Sequence, residues 1–232
     1  MSRMASKRTR MSAGERREQL IAVARSLFAE KGFDATSIEE VAARAKVSKP
    51  VVYEHFGGKE GLYAVIVDRE LGTISSTITA ALESSDSSSM TVELAALALL
   101  TYIEDRPDGF RILSAGNDRA AGTYQTLLAD VAIQVSGILA SRFEARGIDP
   151  RTAPLYAQML VGIVAMPAQW WLENRSMSKE EVAAHMVNLA WNGLRSLSGA
   201  PELRSAAAPA PADGPAARHD HIPRRKSATN QQ

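Results

Sequence analysis

Four histidines, three tryptophans and no cysteine bound the chemistry open to this chain of 232 residues. Without cysteine there is no disulfide, no thiolate metal site and no thiol nucleophile. His219-Asp220-His221 resembles a fragment of a metal site, but two histidines without further ligands do not make one. The other two, His55 and His185, have no Ser, Asp or Glu spacing around them that would suggest catalysis, and no Gly-rich phosphate loop, G-x-S-x-G or H-E-x-x-H string occurs. The expectation is a protein that is not an enzyme, needs no cofactor and holds no metal.

What remains is recognition chemistry, and it sits before residue 60. Lys49 opens a short helical stretch, where a side chain can reach a base edge. Val51 could touch a thymine methyl, while Tyr53 and His55 could donate to phosphates. Lys59 begins the next helix, so its charge adds to free backbone N–H groups and the positive end of a dipole. The charge balance agrees. The net charge of +1, from 27 Lys and Arg against 26 Asp and Glu, hides a segregated chain. Residues 1–59 carry 12 basic and 7 acidic side chains, a net of +5; residues 60–197 carry 10 and 16, a net of −6; residues 198–232 carry 5 and 3, a net of +2. A basic head on an acidic body suggests two jobs, one of them at a polyanion.

These side chains need helices to hold them. Ser12-Ala13-Gly14-Glu15 and Thr36-Ser37-Ile38-Glu39 both have capping-box form, and Lys31-Gly32 offers a stop between them. Leu20, Ile21, Ala24, Leu27 and Phe28 fall at helical spacing, as do Ile38, Val41, Ala42 and Ala45. Ser48 is a natural N-cap, and Pro50 is tolerated in a first turn. Residues 12–56 thus read as three helices, the last two (37–45 and 49–55) joined by Lys46-Val47-Ser48 as a helix-turn-helix. Further helices are expected at 59–82, 90–104, 107–115, 119–145, 152–174 and 178–197, with a third capping box at Ser178-Lys179-Glu180-Glu181. With no period-2 strand, the fold class is all-α.

The string Gly32-Phe33-Asp34-Ala35-Thr36-Ser37-Ile38-Glu39-Glu40-Val41-Ala42, then Val47-Ser48-Lys49-Pro50-Val51-Val52-Tyr53-Glu54-His55-Phe56, then Lys59-Glu60-Gly61-Leu62-Tyr63, resembles the DNA-binding domain of TetR-family transcriptional regulators. The resemblance covers residues 12–65. It implies a three-helix DNA-binding head followed by a larger helical domain that dimerises and binds a small molecule. By position, Thr36 and Ser37 would meet backbone phosphate, Ser48, Lys49, Pro50 and Val51 would face the groove, and Tyr53, His55 and Lys59 would hold phosphates. The sequence departs from the family pattern at Lys46, where the turn often has Gly, and at Ile38, where some members carry a base-reading Arg. A left-handed Lys there costs about 1 kcal/mol.

The resemblance divides the chain into a basic arm (1–11), the head (12–58), a ligand-binding and dimerisation domain (59–198) and a tail (199–232) that holds five of the ten prolines and few apolar residues, and so is expected to be disordered. The arm is either a DNA contact or a solvated terminus. Leu155, Met159, Gly162, Ile163 and Met166 on one helix, with Val182, Met186, Leu189, Trp191 and Leu194 on the next, are expected to form a four-helix homodimer interface. Tyr102, Phe110, Tyr124, Met166, Gln169 and Trp170 are the candidate ligand-binding residues, with Asn117, Gln125 and Leu128 on the same helices, and their types suit a largely apolar effector. Ala153–Leu172 carries no charge over 20 residues, but its prolines and glutamines favour a core or interface helix over a membrane span. The expected partners are a double-stranded, palindromic operator, a small-molecule effector and a second copy of the chain, without a membrane and in the cytoplasm. The expected function is that of a repressor released by its effector; the alternatives are a ligand-independent regulator or an activator, and a helical binding protein with a vestigial head.

Overall fold

This computed structural model shows side-chain caps where three of its α-helices begin, at Ser12, Ser37 and Ser178. It describes residues 11–85, 87–115, 121–201 and 203. The basic residues of the arm up to Arg10, Gly116 and Asn117, and nearly all of the tail with His219 and His221, lie outside them. The described helices are α1 (Ala13–Ala35), α2 (Ile38–Arg44), α3 (Lys49–Phe56), α4 (Lys59–Glu83), α5 (Ser88–Asp105), α6 (Pro107–Ser114), α7 (Ala121–Ala145), α8 (Ala153–Glu173) and α9 (Lys179–Arg195), with a 3₁₀ turn at Pro150–Thr152. They fall within one compact unit that ends at Gly199, and no strand occurs among the described residues.

Ser12 and Ser178 form reciprocal capping boxes with Glu15 and Glu181, as their spacing predicts. The second expected box is shifted. Ser37, not Thr36, caps α2, and its Oγ accepts from Glu40 N at 3.1 Å. Thr36 turns inward instead. Its hydroxyl donates to the carbonyls of Gly32 (2.8 Å) and Leu27 (3.3 Å), tying down the chain where Gly32 leaves helical geometry at φ 80°.

The head core is Leu20, Ile21, Ala24, Leu27, Phe28, Phe33, Ile38, Val41, Ala42, Ala45, Val52, Leu62 and Tyr63, all buried. Phe28, Phe33 and Tyr63 form one aromatic cluster, with centroids 4.8–5.9 Å apart. The same core continues through Ile66, Ile74, Leu99, Leu100, Ile103, Phe110 and Trp171 into the body. In the body α4 packs on α5, α5 on α9, and α7 along α8, while α6 lies against both α1 and α4.

Among the described residues, one helix is long and apolar enough to cross a membrane by length and composition, the Gly122–Ala145 stretch of α7 rather than the uncharged stretch of α8. One face of α7 turns toward a cavity in the body. Helix α8 runs unbroken through Pro167.

Candidate nucleic-acid interface and internal cavity

The turn between α2 and α3 is set by a left-handed residue. Lys46 has φ 57°, the only positive φ outside glycine among the described residues. Val47 N donates to Ala42 O at 2.9 Å and Lys46 N to Ala43 O at 3.1 Å, the paired bonds of a Schellman end. Half-buried Val47 then packs on the core and aims α3 outward. Lysine's strain here is the cost expected from sequence.

Helix α1 braces this pair. Gln19 Nε2 donates to Ala45 O at 3.3 Å. Arg17 Nη1 donates to His55 O at 3.0 Å, and its guanidinium lies 4.5 Å from the centre of the Phe56 ring. Ion pairs Lys31–Glu40 and Arg44–Glu30 fasten α2 to α1.

Helix α3 buries Val52 completely and rests Val51 and Phe56 on the core. Its other face points away from the protein. Ser48, Lys49, Pro50 and Tyr53 are exposed; the Ser48 hydroxyl makes no cap bond, and Tyr53 stays 52% exposed. Lys49 Nζ stands 2.5 Å from Glu39 Oε1. The hydrogen bond from Lys49 holds the Glu39 carboxyl below the ordinary carboxylate range. Ser37 is exposed one turn away, and His55 is half-buried.

Two candidate phosphate contacts are occupied within the protein. Thr36 is 2% exposed with its hydroxyl bonded inside, so its side chain cannot meet a phosphate. Lys59 Nζ donates to Asp34 O at 3.1 Å and sits 4.3 Å over the Phe33 ring. Its cation therefore also staples the start of α4 to the end of α1. Glu39 reads from sequence as a capping-box acid in the first turn of α2; only its distance to Lys49 reveals its place at this surface.

The body holds a partly open cavity of about 440 Å³. Ile78 and Leu82 of α4, Val92, Ala95 and Leu99 of α5, Val131, Val135, Ile138 and Leu139 of α7, Leu160 and Val164 of α8, and Trp191 and Leu194 of α9 make its apolar wall. Arg142, Arg146 and Arg195 also line it. Arg146 donates to Leu194 O and Arg195 O, which fixes it across the end of α9.

None of the six candidate ligand residues lines this space. Tyr102 is buried and donates to Glu70 Oε2 at 2.9 Å. Phe110 is fully buried, with Tyr102 and Tyr124 edge-on to it. Burial pushes the Tyr124 phenol up to about 12. Met166, Gln169 and Trp170 face outward on α8. Of the three neighbours named with them, Leu128 does line the cavity, Gln125 is exposed and Asn117 is not described.

The expected interface set also divides. Leu155, Met159, Met166 and Trp170 are 49–66% exposed along one face of α8, with Ile163 half-buried between them. On α9 only Leu189 is exposed; Val182 and Met186 belong to the core, and Trp191 and Leu194 line the cavity. The signal for the cavity was present in α7, whose residues 128, 131, 135, 138 and 139 repeat at helical spacing.

Residues 20–66 match the family described as bacterial regulatory proteins, tetR family, and residues 77–206 match the tetracyclin repressor-like C-terminal domain. The chain is similar to the HTH-type transcriptional activator FasR of Mycolicibacterium smegmatis, with 30% identity over 190 residues, 80% of this chain and 85% of that protein. The HTH-type transcriptional repressor Rv3405c of Mycobacterium tuberculosis is 43% identical over 76 residues, 31% of this chain and 39% of that protein. In fold the chain is similar to a TetR-like transcriptional regulator from Rhodococcus sp. RHA1, with a TM-score of 0.70 and 23% identity over 81% of this chain and 100% of that one. It is likewise similar to the TetR family regulator PfmR from Thermus thermophilus, with a TM-score of 0.61 and 23% identity over 75% and 98% of the two chains.

Proposed function

Since the chain belongs to the TetR family of DNA-binding transcriptional regulators, we propose that it acts in the cytoplasm as a homodimer that grips a palindrome-like operator and lets it go when an effector fills the body cavity. The observation that carries this reading is the outward face of α3. Ser48, Lys49, Pro50 and Tyr53 contribute nothing to the head core and stand together where a groove can receive them. Two such helices on a two-fold dimer reach successive major grooves about 34 Å apart.

The stripe Leu155, Met159, Met166 and Trp170 supports dimerisation, because apolar side chains in a row on one helix face gain by meeting a second copy. The cavity volume lies within the range of small-molecule sites. Its apolar wall favours a long apolar body, and the Arg146 and Arg195 guanidiniums favour an anionic group at one end. The −6 of the body is therefore no guide to the effector.

The sign of regulation has two readings. A repressor released by ligand follows from opposed DNA and ligand affinities, linked by a coupling typically of about 1–3 kcal/mol. The 30% identity with a relative named as an activator favours the second, in which the bound protein assists transcription.

Selection of operators from random DNA with the full chain, followed by a release screen of apolar acids and their neutral analogues, tests the proposal. Enrichment of a palindrome and its release by one compound class is the expected result. Failure to enrich any sequence at moderate salt overturns it.

A further inference from the structure

Glu70 is the one charged residue in the buried set of the described chain, 2% exposed. Four hydrogen bonds reach its carboxylate. Arg106 forks onto both oxygens, Nε to Oε2 at 2.9 Å and Nη2 to Oε1 at 2.8 Å. Tyr102 Oη donates to Oε2 at 2.9 Å, and Arg25 Nη1 to Oε1 at 3.2 Å. The backbone of α6 closes the site from the side: a Cβ at Gly109 would collide with Oε2.

The elements that meet here are those that connect the cavity to the head. Helix α5 lines the cavity with Val92, Ala95 and Leu99, then supplies Tyr102; Arg106 follows at its end. Helix α4 lines it with Ile78 and Leu82 and carries Glu70. Arg25 alone among the donors comes from α1, within the head core between Ala24 and Leu27. The anchoring is lopsided. Three bonds hold the carboxylate to the body, while one, from an arginine whose side chain is 32% exposed, ties it to the head. The other polar ties shown between α1 and α4 are Lys59 to Asp34 O, at the start of α4, and Glu18–Arg69, an exposed pair that salt will screen.

We infer that Arg25 and Glu70 form a positioning strut that sets the angle of the DNA-binding head on the body, and with it the half-site spacing the dimer accepts. The inference rests on the dimeric operator reading. A small shift of α5 or α6 moves the body-side anchor of the carboxylate, and a single bond then transmits or loses that motion at α1. Arg25 is a positioning residue; it touches no DNA.

The strut is separable from folding. Removing Arg25 leaves Glu70 paired with Arg106 and bonded to Tyr102, so no buried charge is abandoned. The full-length protein and Arg25→Met are each titrated with the selected operator and with versions lengthened or shortened at the centre by one and two base pairs. A duplex bearing one half-site serves as control. The wild type is expected to lose on the order of tenfold in affinity for each displaced pair, since both heads must engage at once. Arg25→Met is expected to flatten that profile to within about threefold while half-site binding and thermal midpoint stay near wild type. Glu70→Gln should flatten it too, and Arg25→Lys should restore part of the preference. An Arg25→Met profile as steep as the wild type overturns the strut. So does equal loss on half-site and full site, which would make Arg25 a packing residue of the head. If the wild type selects no operator, the operator reading falls and the strut with it.

Discussion

Lys49 and Glu39 face each other across the helix-turn-helix, ammonium to carboxylate at 2.5 Å, with about half of each side chain open to solvent (52% and 58%). A pair this exposed gains little from its own attraction, so approaching DNA can part it at small cost. Lys49 is then free for the groove, and the Glu39 carboxylate stands among phosphates. Glu39→Gln removes that repulsion. Affinity for random-sequence DNA should rise, and the slope of log affinity against log salt should steepen by about one. An unchanged slope, measured by fluorescence titration across salt, would place the Glu39 carboxylate away from the phosphates. Lys49→Ala should relax preference at particular positions of the selected operator; retention of every preference would remove Lys49 from base readout.

Lys59 has two roles that one substitution separates. Its ammonium holds Asp34 O and the Phe33 ring, and the same charge stands at the start of α4. Lys59→Ala should lower stability by about 1 kcal/mol, through the lost hydrogen bond and ring contact. If the charge also meets phosphate, the salt slope shrinks by about one. A stability loss with an intact slope assigns Lys59 to the fold alone.

Legibility in the sequence followed the range of each interaction. Ser12 and Ser178 are readable because a cap and its partner lie three residues apart. Thr36 misleads for the same reason: Thr36 with Glu39 and Ser37 with Glu40 both fit the pattern, and only the fold shows Thr36 rotated onto Gly32. Lys46 can be placed at a left-handed turn only through the family resemblance, whose pattern often has Gly at that position. Periodicity shows which residues share a face but not what the face meets. Trp191 and Leu194 thus read as dimer-interface residues when they line the cavity. Tyr102, a ligand contact by residue type, serves Glu70, which is 32 residues earlier and leaves no periodic trace.

The α8 stripe yields a test of assembly. Met166 is 66% exposed and belongs to no core cluster, so Met166→Glu leaves the protomer's packing intact. Sedimentation should show the species shift from dimer to monomer, with operator affinity falling on the order of a hundredfold and half-site affinity unchanged. A variant that remains dimeric would move the interface off this stripe.

Filling the cavity should uncouple the effector without touching the head. Val135 is half-buried on its wall, and Val135→Trp places an indole where the effector is proposed to lie. Operator affinity should match the wild type, and the compound that releases wild-type protein should no longer do so. Release at the wild-type concentration would place the effector elsewhere.

Glu70 makes stability depend on acid in a way a neutral substitute cannot. Burial opposes its charge, but the hydrogen bonds from Arg106 and Tyr102 outweigh burial, and its carboxyl titrates below the ordinary value of 4.5. A carboxyl lowered by folding stabilises fully above its unfolded value and loses that contribution as pH falls through the folded one. Glu70→Gln leaves two guanidiniums facing an amide. The loss at neutral pH should be about 2–3 kcal/mol, low for a broken buried pair because both arginines are about a third exposed (32% and 36%). The gap between wild type and variant in denaturant unfolding should hold from neutral pH down to about pH 5 and narrow below about pH 4.5, as wild-type Glu70 is protonated. A gap that stays constant into acid would mean that the carboxylate's charge contributes nothing and that Glu70 matters only for its shape.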